Sequence, residues 1–195
     1  MTKNLAERVQ HILMKPREAW PEIKAEQTTV IELFTSYAAV LAIIPAVAQI
    51  IGVTIVGFSF MGVGYRTPLG SALGHGFLSY CTALVSLYVI AFITYHLAPR
   101  FGSQKHPLNA SKLAIYSWTP SCVIGVLYII PALSWVATVA SLYGLYLFYL
   151  GLPILMETPR DKVKAYFLVV VALSIVLLAF LGAVVALFFM PGRLV

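Results

Sequence analysis

Five apolar runs, each long enough to cross a bilayer, constrain this chain more than any other feature. A helix crosses the hydrocarbon layer with about 20 consecutive apolar residues, and such runs fall at 31–57, 72–98, 112–131, 133–155 and 164–190. Inside lipid every backbone N–H and C=O must be bonded within the protein, and a helix does this within its own segment. The runs therefore predict an all-α, polytopic membrane protein: a bundle of five transmembrane helices. Composition excludes a soluble alternative. With 61% hydrophobic residues, 10% charged residues and a mean hydropathy of +0.91, the chain holds more apolar surface than a soluble fold of 195 residues can hide. The third and fourth runs meet at "IIPALSW", where Pro131 stops one helix and Ser134 opens the next.

Basic residues set the expected orientation. Of the 13 lysines and arginines, all but Arg66 and Arg193 fall before the first run, in the 99–112 loop or in the 156–164 loop. Positive loops are retained in the cytoplasm, so the N-terminus is expected inside and the C-terminus outside a bacterial cytoplasmic (inner) membrane. The acidic residues lie on, or at the edge of, the same side. The sequon Asn109-Ala110-Ser111 then faces the cytoplasm and is discounted. Residues 1–29 mix both charges around no apolar core, which is not the pattern of a signal peptide. Three regions follow: a cytoplasmic segment 1–29, a membrane domain 30–190 and a short outside tail 191–195. Topology accounts for the net charge of +6, so no nucleic acid is expected as a partner.

Local patterns refine this frame. "NLAERVQHILM" places Leu5, Val9, Ile12 and Leu13 on one helical face, expected to lie on the inner leaflet as an amphipathic interfacial helix. In "LMKPREAWPEIKAE", Trp20 sits between Pro16 and Pro21 and is expected as an interfacial anchor in a bent connection. Thr29 and Glu32 read as a capping box for the first span. A proton or cation site is the other reading of Glu32, and capping is preferred. Thr158 is expected as the cap of the fifth span, with Pro159 in its first turn and Asp161 near its positive end.

Candidate polar features lie inside the spans. Tyr143, Tyr146 and Tyr149 cover one broad face of the fourth run. They line a substrate groove or hydrogen-bond between helices, the latter being commoner in membrane bundles. Pro120 should kink the third span and free the carbonyl of Tyr116. His75 and His96 stand at opposite ends of the second span, too far apart for one metal, and Cys81 and Cys122 read as packing residues. No metal or cofactor is expected. Small residues four apart (Gly70/Gly74, Ala140/Gly144, Ala179/Ala183, Gly182/Ala186) mark close helix contacts, within the bundle or between copies. No hydrolase, metalloprotease or phosphate-loop motif is present, so an enzyme is not expected.

Three stretches carry a family resemblance: "ILMKPREAWPEIKAE" at the start, "YSWTP" from Tyr116 to Pro120, and "LYGLYLFYLGLPILMETPRDK" from Leu142 to Lys162. They resemble bacterial members of the Ypt-interacting-protein (YIP) domain family, and together they cover the chain end to end. The resemblance implies five spans with the N-terminus in the cytoplasm, in agreement with the charge count. Eukaryotic relatives are associated with Rab-type GTPases, but this chain has "IELFTSY" where they carry Asp-Leu-Tyr-Gly-Pro, so GTPase binding is not carried over. For bacterial members the resemblance implies no reaction or catalytic residue. The resulting expectation is a non-enzymatic, membrane-organising or protein-interaction module working through its cytoplasmic face. Its expected partners are membrane lipids and a cytoplasmic protein, or a second copy meeting it through small-residue faces. The alternative is a small transporter or channel with a path lined by the tyrosines of the fourth span.

Overall fold

The computed structural model describes residues 4–60 and 63–189; the expected tail at 191–195 lies outside them. Two short helices, α1 (Leu5–Met14) and α2 (Pro16–Ala25), precede five helical stretches of membrane-crossing length. These are α3 (Val30–Val56), α4 (Leu69–Leu97), α5 (Pro107–Ile124), α6 (Ser134–Leu155) and α7 (Val163–Phe189). The all-α, five-span expectation holds.

Two departures from it are local. The first apolar run ends at Gly57, whose φ of 78° breaks the helix. The chain then forms a small antiparallel hairpin, β1 (Phe58–Phe60) with β2 (Val63–Tyr65), in which Phe58 pairs with Tyr65. The second departure is at Pro120. Helix α5 continues through it as α-helix to Ile124 and tightens into a 3-10 segment only over Gly125–Ile129.

Burial and hydropathy are opposed at the two extremes. The third span has the lowest mean hydropathy, 1.2, and is the most enclosed, with 56% of its apolar 18-residue stretch buried. The fifth has the highest, 2.7, with 17% buried. A polar side chain in hydrocarbon needs a partner, so the span with Asn109, Ser111, Lys112, Ser117 and Thr119 is the one the others surround. It packs against α3, α4 and α6, and α7 closes the far side against α4 and α6. Glycine makes the closest approach possible: a Cβ on Gly144 of α6 would lie 2.6 Å from the carbonyl oxygen of Ser117 on α5. Gly144 of the Ala140/Gly144 pair therefore serves contact within the bundle. Gly70, Gly74 and Gly182 have open space where a Cβ would stand.

The N-terminal segment is not separate from the spans. Ile12, Trp20 and Ile23 are fully buried in the same apolar core as Leu113, Leu147 and Leu152, and Leu5, Val9 and Leu13 pack against it. The amphipathic face expected on lipid is therefore turned onto the bundle, and α1 and α2 form a two-helix cap over one end.

Candidate functional site at the charged end of the bundle

The cap is held by charged groups that local sequence does not link. Helix α2 ends at Ala25 without a glycine cap, which leaves its last carbonyls in need of donors. Lys112, 1% exposed, supplies them. Its Nζ donates to the carbonyl oxygens of Ile23 at 2.6 Å, Glu26 at 2.7 Å and Lys24 at 3.4 Å. A cation at the negative end of a helix is favourable, and three carbonyls make up for water lost by the ammonium. Beside it, Arg8 donates to Glu26 Oε1 at 2.7 Å. The Arg8 guanidinium carbon stands 6.0 Å from the centre of the Tyr116 ring. Tyr116 packs against Tyr37 with ring centres 4.7 Å apart, and the Tyr37 and Thr119 hydroxyls share a buried hydrogen bond of 2.9 Å.

Trp20 is corrected by the structure. Expected at the lipid interface, it is instead 0% exposed, with its indole wedged over Gly151, where a Cβ would come within 2.8 Å of the ring. Pro21 stands inside α2 rather than ending it, and the chain turns at Lys15 before Pro16. The physical reason is the apolar surface that Leu113 and the side-chain-free Gly151 present to the ring at this end of the bundle.

The caps divide. The Thr29 hydroxyl accepts from the Glu32 N–H at 3.1 Å, as expected for the first span. Glu32 does not complete the box: its carboxylate accepts from the Thr28 hydroxyl at 3.1 Å. Thr158 does not cap α7, which begins at Val163. Its hydroxyl accepts from Ser103 at 2.9 Å and donates to the Leu152 carbonyl, tying two loops together. Asp161 lies exposed in the turn before α7.

The tyrosines of the fourth span do not gather on one cavity. Tyr143 donates to the Leu13 carbonyl of α1 at 2.8 Å, binding the cap to α6. Tyr146 is 45% exposed on the outside, and Tyr149 sits edge-on to Phe167 with ring centres 5.5 Å apart. A lateral cleft of about 280 Å³ does open between α4, α5, α6 and α7, but Ser117, Ser121, Ser141 and Ser174 supply its polar lining.

The loops join the same end. Glu157 has a left-handed backbone, φ 51°, unusual for a residue with a Cβ. Its carboxylate takes Lys24 at 2.6 Å and the amide of Gln104, while the Gln104 N–H donates to the Met156 carbonyl at 2.8 Å. Thus α2, the loop after α4 and the loop before α7 meet as one surface. Among the described residues, no three His, Cys, Asp or Glu side chains are grouped to hold a metal ion.

Five spans capped at one end by a helical hairpin define a multi-pass membrane protein. The Yip1 domain matches residues 11–190, and the chain belongs to that family. It is 26% identical over 167 residues to the inner membrane protein YohC of Escherichia coli strain K12, covering 83% of this chain and 85% of YohC. The same figures hold for YohC of the O6:H1 strain. No solved structure matches the chain.

No local pattern marks the buried constellation of Arg8, Glu26 and Lys112, and the charge count places Lys112 among the loop cations. Two signals bear on it: a lysine opening an apolar helix of low hydropathy, and a helix before it without a C-terminal glycine.

Proposed function

We propose that the chain is a non-enzymatic interaction or membrane-organising module working through the charged end of its bundle, and that this end faces the cytoplasm. The observation that carries the reading is the lock on the cap. Lys112, the Arg8–Glu26 pair and the Lys24–Glu157 pair hold α1, α2 and two loops together. Arg17, Arg100, Lys105, Arg160 and Lys162 stay exposed around them. A pre-ordered surface loses little freedom on binding, which favours docking of a soluble partner or of a second copy. The alternative of a tyrosine-lined transport path gains no support from side chains that bond α1, face outward or pack on Phe167.

Photo-crosslinking residues placed at Arg17 and Arg160 in cells test this, with Arg66 at the opposite end as control. Discrete adducts from the first two positions and none from the third are expected. Equal adducts from all three, or none from any, overturn the reading.

A further inference from the structure

A polar pocket of about 220 Å³ opens beside the cap, lined by Leu5, Arg8, Glu26, Thr28, Glu32, Leu33, Ser36, Tyr37 and Tyr116. It lies between α1, the first turns of α3 and the tyrosine pair on α3 and α5. Its charge decides what it can hold. Among its lining residues one cation, Arg8, is paired with Glu26 at 2.7 Å, and Lys112 behind the wall spends its donors on the carbonyls of Ile23, Lys24 and Glu26. Glu32 is left with the Thr28 hydroxyl as its hydrogen-bond donor. The second oxygen of Glu26 is buried and has no hydrogen-bond partner. The pocket therefore has a surplus of acceptors, with the Glu32 carboxylate lacking a cation of its own, while its aromatic walls suit a cation.

Position decides the source. Glu32 is two residues into the first span, which starts at Val30, and its neighbour Ile31 is 75% exposed on the bundle's outer surface. The mouth is thus at the depth where lipid headgroups meet the first turn of a membrane helix, and Leu5 and Leu33 make it part apolar. We propose that this pocket binds the primary ammonium of an aminophospholipid headgroup, with Glu32 as its carboxylate. Three N–H donors reach a site short of donors, whereas an anionic headgroup meets two carboxylates. The inference does not depend on which soluble partner the charged end engages.

Native mass spectrometry of the full chain, with added phosphatidylethanolamine, phosphatidylcholine or phosphatidylglycerol, tests it. Phosphatidylethanolamine is expected to be retained in preference to the other two. Glu32→Gln is expected to weaken that retention roughly tenfold, the scale of one charge-assisted hydrogen bond, while Glu18→Gln on exposed α2 leaves it unchanged. Thermal unfolding of each variant checks that the fold survives, and Glu32→Asp provides a second variant that keeps the charge and should retain the lipid. Equal retention of the three lipids overturns the proposal, as does a well-folded Glu32→Gln with undiminished retention. Displacement of the lipid by equimolar glycerophosphoethanolamine assigns the pocket to a soluble amine and overturns the lipid source.

Discussion

Position 151 shows how much one missing Cβ can decide. An added methyl there would lie 2.6 Å from Leu113 Cδ1 and 2.8 Å from the Trp20 ring. Neither neighbour has room to retreat, since both are fully buried. Gly151→Ala should therefore cost about 1–3 kcal/mol through overpacking, despite the better helix propensity of alanine. Gly182 offers the contrast, with nothing within 4 Å of the point where its Cβ would stand. Gly182→Ala should be neutral or slightly stabilising. Thermal unfolding in one detergent separates them, and equal melting temperatures would show that the indole does not seat on Gly151. From sequence, Trp20 between prolines showed that the segment docks on something. It did not show whether lipid or protein receives the ring, because the receiving surface is built by glycine and leucine far along the chain.

The cap is attached by a buried apolar face and by a small set of polar links. Lys112 satisfies three carbonyls at the end of α2 and stands near the Arg8–Glu26 pair. Lys112→Met leaves those carbonyls without their donor, a loss of about 1–3 kcal/mol by the behaviour of buried acceptors left unsatisfied. The docked hairpin should then open before the spans separate. In a chain with Trp118→Phe and Trp135→Phe, acrylamide quenching of Trp20 reads this directly: shielded with Lys112 present, accessible in Lys112→Met. Lys24→Met removes a half-exposed pair with Glu157 and should cost at most about 1 kcal/mol. Unchanged quenching in Lys112→Met would mean that apolar contacts alone hold the cap. The spans themselves were legible because hydropathy is a local property, and the least and most hydropathic of them are the most and least buried. The β1–β2 hairpin was not, since "FSF" and "VGY" continue an apolar pattern without a separate signal. The Lys112 lock joins positions 86 to 89 residues apart, a pairing no periodicity records.

At the scale of the whole molecule, the structure gathers the basic segments at one end, and orientation follows from which side retains them. The N-terminal helices, the loop after α4 and the loop before α7 are bonded to one another through Lys24, Gln104 and Glu157, so they share one side of the membrane. Short basic loops resist translocation, and moving this end outward would carry three such segments across together. With Cys81 and Cys122 replaced by alanine, single cysteines at Arg17, Lys105 and Arg160 should be labelled by an impermeant maleimide only in inside-out vesicles. A cysteine at Arg66 should be labelled only in intact cells with a permeabilised outer membrane. The reverse pattern would place the charged surface outside and transfer the search for its partner to that compartment. A mixture of both patterns would mean that two orientations coexist, an outcome at odds with so one-sided a charge distribution.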